Sequence, residues 1–158
     1  MKILIAYAGK TGSTEKCAKI LEQRLENATA ADIAGRDIDI SNYDLIITGS
    51  SIRMGMLHSK IKKFINNNRD LLKSKKTAYY ICCGFPANCQ KYFENNIPKE
   101  LLNLAVIYDT FGGEMDISKQ KGLDKFIVNM ISKTEEGQKE VRILNENIDK
   151  FVEKLKGI

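Results

Sequence analysis

The sequence predicts a doubly wound α/β fold: a five-stranded parallel sheet in the order 2-1-3-4-5, with helices on both faces. Three observations predict it. Apolar runs of strand length alternate with helical stripes from end to end. The chain has 158 residues, 43% of them hydrophobic, enough for one domain whose sheet is covered on both sides. The first apolar run leads into a glycine-containing turn that opens an amphipathic segment. With this strand order the crevice lies at the carboxyl ends of strands one and three, where a ligand is expected.

The elements follow in order. Ile3-Leu4-Ile5-Ala6-Tyr7 marks the first strand, over residues 2–8, and Cys17, Ile20, Leu21 and Leu25 make the stripe of the first helix. Strands two and three are expected over 29–33 and 44–50. A second helical stripe runs through Leu57, Ile61, Phe64, Ile65, Leu71 and Leu72. The fourth strand is expected over 77–83 and the fifth over 104–111, separated by a less regular segment, 86–103, that Pro98 interrupts. Leu123, Phe126, Ile127, Met130 and Ile131 mark an additional helix. Val141, Leu144, Ile148, Phe151, Val152 and Leu155 mark a long closing one. With no repeat, low-complexity tract or linker, residues 1–158 read as a single domain.

The turn Gly9-Lys10-Thr11-Gly12-Ser13-Thr14 carries the most chemistry. Small residues let the backbone fold around an anion, the hydroxyls donate hydrogen bonds, and the open N–H groups of a helix start add partial positive charge. A terminal phosphate suits such a turn. Rival loops fail on the same residues. A Walker A loop needs a glycine where Leu4 stands in the strand, and the dinucleotide fingerprint needs a third glycine that the turn lacks. A receiver domain wants an Asp where the third strand ends in Gly49-Ser50-Ser51. A cysteine phosphatase wants its thiol in the loop, but the nearest, Cys17, lies in the helix.

Composition narrows the setting. Cys17, Cys82, Cys83 and Cys89 form no Cys-x-x-Cys pair and have one histidine, His58, to join them, so buried thiols in a reducing compartment are expected rather than a metal site. The N-terminal apolar run stops at Gly9-Lys10, with no secretory pattern, and the longest uncharged run, 77–90, is too short to span a bilayer. A cytoplasmic protein is expected. The net charge of +5 favours anionic partners. Lys60, Lys62, Lys63, Lys73, Lys75 and Lys76 cluster without interleaved aromatics and read as a solvated face, so no nucleic acid is expected as a partner.

The turn resembles that of the flavodoxin-like family, whose first loop grips the FMN phosphate with a hydroxyl-x-Thr-Gly-x-Thr pattern. Thr11, Gly12 and Thr14 match; Gly9 stands where the first hydroxyl is usual, with Lys10 beside it. Gly49-Ser50-Ser51-Ile52-Arg53-Met54-Gly55, followed by His58-Ser59, is similar to the branch that includes the menaquinone-dependent protoporphyrinogen oxidases. The resemblance implies FMN as cofactor, with Lys10, Thr11, Gly12, Ser13 and Thr14 at the phosphate. It also implies the backbone of 51–55 (Ser51, Ile52, Arg53, Met54, Gly55) along the ring and Arg53 near its pyrimidine edge. The chain has no Trp, so Met54 or Met56 would offer a polarizable face and Phe85, in the loop Cys83-Gly84-Phe85, an aromatic one. His58 caps or packs at a helix start, or serves as a proton donor.

The implied function is electron transfer through a noncovalent flavin. The alternative is an FMN-dependent oxidase of the protoporphyrinogen type that passes electrons to a quinone. Such oxidases carry an extra segment for substrate or membrane contact, for which 112–134 is the candidate. There Phe126, Ile127, Met130 and Ile131 with Lys121, Lys125 and Lys133 would make an interfacial face or, equally, pack into the core. The expected partners are a redox protein or a quinone, an anionic surface being preferred, with peripheral membrane contact under the second reading.

Overall fold

Residues 1–113 and 142–158 are described by a computed structural model. The expected helix through Leu123 and Ile131, the three lysines flanking it and Val141 lie outside the described residues. The strands are β1 (Ile3–Ala8), β2 (Ala28–Asp32), β3 (Leu45–Arg53), β4 (Met56–Leu57), β5 (Lys76–Cys82) and β6 (Ile107–Thr110). The helices are α1 (Ser13–Arg24), α2 (Ser59–Asn67), α3 (Arg69–Ser74), α4 (Cys89–Asn96), α5 (Lys99–Leu104) and α6 (Asn145–Lys156), with a short 3-10 turn at Pro86–Asn88.

The sheet runs β2-β1-β3-β5-β6, all parallel, with β4 paired antiparallel to β3. Counting only the long strands, this is the expected order 2-1-3-4-5. The strands are apolar on both faces, as a sheet covered on both sides requires. On one face Ile3, Ile5, Tyr7, Leu45, Ile47, Ala78 and Tyr80 pack against Cys17, Ala18 and Leu21 of α1 and Ile148, Phe151, Val152 and Leu155 of α6. On the other, Leu4, Ala6, Ile46, Tyr79 and Ile81 meet Ile61, Phe64 and Ile65 of α2, Leu72 of α3, Phe93 of α4 and Leu101 of α5.

Four boundaries differ from expectation, each for a local reason. The second helical stripe is two helices, because Asn68 turns back and gives both its backbone and side-chain N–H groups to the Phe64 carbonyl. Leu71 is consequently exposed while Leu72 stays buried. Leu57 belongs to β4, not to a helix. Strand β3 runs on to Arg53, so Ser51, Ile52 and Arg53 lie on the strand and only Met54 and Gly55 turn, pairing Arg53 with Met56 and Ile52 with Leu57. Before Pro98 the chain is extended at Ile97, which ends α4; α5 then continues through Leu104 and shortens the last strand to four residues.

One buried side chain joins the sheet to the first loop. Tyr80 is fully buried, and its hydroxyl donates to the carbonyl of Thr14 at 2.8 Å. It stacks on Phe111 with centroids 4.8 Å apart, and Phe111 meets Phe151 edge-on at 5.0 Å. The ring fits because Gly49, opposite it on β3, has no side chain; a Cβ there would overlap the ring and hydroxyl of Tyr80. Gly49→Ala should therefore destabilise the fold by about 1–3 kcal/mol, the usual range for overpacking a closed core. The check is a lower urea midpoint with an unchanged slope.

Candidate functional site

The first loop is built where β1 stops at Ala8. Gly9, Lys10, Thr11 and Gly12 turn the chain, and Gly12, at φ +90°, forms the N-cap of α1 without a side-chain cap of its own. The first helical hydrogen bond runs from Lys16 N–H to Gly12 O at 2.9 Å, so the N–H groups of the opening turn lie ahead of the helical ladder. A Cβ on Gly12 would meet nothing within 4 Å, so the outer side of the turn is open. Ser13 and Thr14 are buried at 4% and 1% exposure, Thr11 is half-buried and Lys10 is exposed.

Gly9 has a steric reason. A Cβ at that position would lie 2.6 Å from the Thr14 hydroxyl oxygen and 2.8 Å from its Cβ. A side chain at position 9 would therefore require the Thr14 side chain to shift, and with Gly9 there the turn keeps the hydroxyls of Thr11 and Thr14.

The other two loops leave the sheet beside the first. Register pairs Ala8 with Ser50, Ser50 with Ile81, and Ser51 with Cys82, so the carboxyl ends of β1, β3 and β5 share one rim. Along that rim Ser51 and Ile52 are half-buried and Arg53 is exposed, while Met54 is 91% exposed at the tip of the β3–β4 hairpin. Gly55 is half-buried behind it. Met54 and Gly55 both have positive φ, +50° and +74°, the two-residue turn that matches strand twist and favours Asn-Gly. In the third loop Cys83 is buried, its N–H held by the Gly112 carbonyl at 2.9 Å; Gly84 is half-buried and Phe85 is 40% exposed. Phe85 is therefore a rim aromatic rather than a core one.

Asn96, which sequence reasoning missed, and Ser50, the second residue of the Gly49–Gly55 motif, hold these loops. Asn96 on α4 donates to the Gly55 carbonyl at 2.8 Å and accepts from Leu57 N–H at 3.2 Å, bracing the hairpin from behind. Ser50 accepts from His58 N–H at 2.9 Å and donates to the Ser51 carbonyl. Nothing in the sequence around Asn96 distinguishes it from Asn95; only the fold brings it to the hairpin.

His58 takes the capping role. Its Nδ1 accepts from Lys60 N–H at 3.3 Å, which leaves the ring proton on Nε2 when the ring is neutral. Burial, then Lys10 and Lys60, depress its pKa below the ordinary value, with Asp32 opposing them. Cys17, Cys82 and Cys83 are buried thiols and Cys89 is half-buried. The Cys82 and Cys17 sulfurs lie 3.8 Å apart beneath the first loop, and that contact with burial raises the Cys82 pKa. The Cys82 thiol is thus not poised as a nucleophile.

The family model described as a flavodoxin domain matches residues 4–142, and the chain belongs to that family. A protoporphyrinogen IX dehydrogenase [quinone] of Escherichia coli K12 is 26% identical over 153 residues, covering 90% of this chain and 84% of that protein. Among solved structures, the two-electron reduced flavodoxin of Megasphaera elsdenii superposes with a TM-score of 0.53 at 18% identity, covering 68% of this chain and 84% of that one. A flavoprotein of Lactobacillus acidophilus, solved in complex with FMN, gives 0.51 at 17% identity, covering 70% and 90%. The expected fold class is thereby shown.

Two outcomes follow from the geometry. Met54→Asn should stabilise the protein by about 0.5–1 kcal/mol, because Asn tolerates a left-handed conformation that other side chains resist; chemical denaturation reads it. His58→Asn keeps a capping side chain but removes a titrating one. With a depressed folded pKa, the unfolded state binds the proton more readily, so His58's contribution is complete above about pH 6.5 and declines as pH falls through the folded value. Stability of the variant should fall less between neutral pH and pH 5; equal slopes would remove His58 from the acid response.

Proposed function

We propose that the protein is an FMN-binding redox protein that transfers electrons through a noncovalent flavin. The observation that carries this is the turn of residues 9–14: an uncapped helix start with an open outer side and a buried Thr14, on the rim where two further loops emerge. Flavodoxin-domain membership and the FMN complex of the Lactobacillus relative support the same ligand.

The residues fit the group. Lys10, Thr11, Gly12, Ser13 and Thr14 would hold the phosphate through N–H groups, hydroxyls and one exposed ammonium. Ser51, Ile52, Arg53, Met54 and Gly55 would border the ring on one side and Cys83, Gly84 and Phe85 on the other. FMN supplies one- or two-electron chemistry when bound. The protein's part is to fix the ligand: Tyr80 holds the Thr14 carbonyl, Asn96 holds the hairpin, and Met54 and Phe85 offer exposed apolar surface to ring or partner. Arg53 would place a guanidinium at the pyrimidine edge. The turn has no second glycine-rich seat for a pyrophosphate, which favours FMN over FAD.

A second reading rests on the Escherichia coli relative: an oxidase of the protoporphyrinogen type that hands electrons to a quinone. Both readings need a redox protein or a quinone as electron partner. The +5 charge favours an anionic partner surface, including an anionic membrane face, and gives nucleic acid no particular support. Among the described residues no helix is long and apolar enough to cross a membrane, and the free thiols suit a reducing cytoplasm.

Titration of apoprotein with FMN, followed by absorbance and fluorescence, tests the cofactor. Thr14→Val removes a hydrogen bond to a charged oxygen, about 1.5–3 kcal/mol, so FMN affinity should fall about tenfold to a hundredfold. Unchanged affinity would place the phosphate elsewhere. Anaerobic reduction followed by reoxidation with quinones, and with protoporphyrinogen as substrate, separates the two readings. Turnover of porphyrinogen supports the enzyme, and exchange with redox proteins alone supports the carrier. Association with the anionic partner should weaken steeply as salt rises, since exposed charges are screened beyond about 8 Å at physiological ionic strength.

A further inference from the structure

Away from the three loops, a cleft of about 360 Å³ opens between the segment after β2 and one face of α2. Lys60, Lys63 and Asn67 line it from the helix at the i, i+3, i+7 spacing of one face, with Phe64 beneath them. Arg36, Asp37 and Ile38 line it from the loop, and Asn68 closes the far end.

Its cations differ from their neighbours. On the same lysine-rich side Lys73 pairs with Asp70 and Glu100, Arg69 pairs with Glu100, and Lys75 is held by the carbonyls of Ser41 and Tyr43. Arg36 gives its Nε–H to the Asp32 carbonyl at 3.3 Å, which fixes the side chain without neutralising it. Among the described residues, Arg36, Lys60 and Lys63 have no carboxylate within ion-pair distance. Three unneutralised cations converging on one concavity, beside two side-chain amides and one carboxylate, are the donor set for a phosphate attached to a hydroxyl-bearing body. The lysine cluster that reads as uniform solvation in the sequence thus includes cations held by carboxylates or carbonyls, Lys73 and Lys75, and cations without a carboxylate partner that line a concavity, Lys60 and Lys63.

We propose that this cleft binds a small hydroxylated phosphomonoester, of the sugar-phosphate class. Arg36, Lys60 and Lys63 hold the phosphate, and Asn67, Asn68 and Asp37 meet the hydroxyls. The site is separate from the 9–14 turn and does not depend on the flavin reading. Both lie at the end of the sheet where Ile33 N–H reaches the Tyr7 carbonyl, and His58 caps α2 beside Lys60.

Two-dimensional ¹H–¹⁵N NMR of the protein loaded with FMN tests this, with ribose 5-phosphate, inorganic phosphate and ribose as probes. Ribose 5-phosphate should give saturable shifts at Gly35, Arg36, Lys63, Asn67 and Asn68, inorganic phosphate weaker ones at the same residues, and ribose none. Arg36→Gln with Lys63→Gln should weaken ribose 5-phosphate about tenfold or more, as expected for losing charge-assisted contacts, while Lys73→Gln with Lys76→Gln leaves it unchanged. All four positions are exposed, so both double variants should keep the parent spectrum elsewhere. Shifts that never saturate, that spread to residues 73–76, or that weaken equally in both variants would overturn the proposal. If FMN does not load, the same titration on apoprotein still decides it: residues 9–14 report any phosphate in the first loop, and residues 35–38 and 63–68 report the cleft.

Discussion

The hydrogen bond from the buried Tyr80 hydroxyl to the Thr14 carbonyl is the constraint on which the site depends. It ties the opening turn of α1, which in the proposed site presents its N–H groups to an anion, to the centre of the sheet. Burial holds the Tyr80 pKa well above its ordinary value, so the phenol keeps its proton and remains a donor at any physiological pH. Its position is set from three sides: Phe111 stacks on it, Phe151 supports Phe111 edge-on, and Gly49 leaves the room. The bond anchors the first turn through a carbonyl and leaves the N–H groups of the helix start to face an anion. Gly12 can then occupy the cap with its outer side open.

The second and third loops are placed by strand register and fixed by side chains from elsewhere. The β3–β4 hairpin is built on a turn that is unfavourable for Met54, and Asn96, distant in sequence, holds its returning side at Gly55 and Leu57. Backbone strain of this kind costs of order 1–3 kcal/mol and persists where the surroundings over-determine it. Here it displays a thioether almost wholly in solvent at the tip of the hairpin. For an electron-transfer site that is useful surface, since it can lie against a flavin or a partner without a polar group to desolvate.

The sheet order and both helical layers were legible because short continuous apolar runs, such as Ile3–Ala8 and Leu45–Ile47, alternate with longer amphipathic stripes of helical spacing. The turn at 9–14 was legible because its small and hydroxyl residues sit directly after a strand. What escaped was set by long-range contact. Asn68 breaks a helical stripe by bonding to Phe64, β3 runs on as far as Arg53 because Met56 and Leu57 pair with it, and Asn96 reaches the hairpin only in the folded chain. The reason for Gly9 was equally hidden, since it lies in the direction of the Thr14 side chain. The lysine cluster misled in another way: composition counts charges but does not show which of them are paired.

The most direct test of the account compares FMN with riboflavin in wild-type protein and in Tyr80→Phe. The two ligands differ by the phosphate alone, so their affinity ratio isolates the 9–14 turn. Loss of one hydrogen bond, about 1–1.5 kcal/mol, should reduce the ratio roughly tenfold by loosening the turn, with riboflavin affinity nearly unchanged. A ratio that is the same in both proteins, or a wild-type ratio close to one, would contradict the account, because the phosphate would then be held by something other than the turn that Tyr80 fixes.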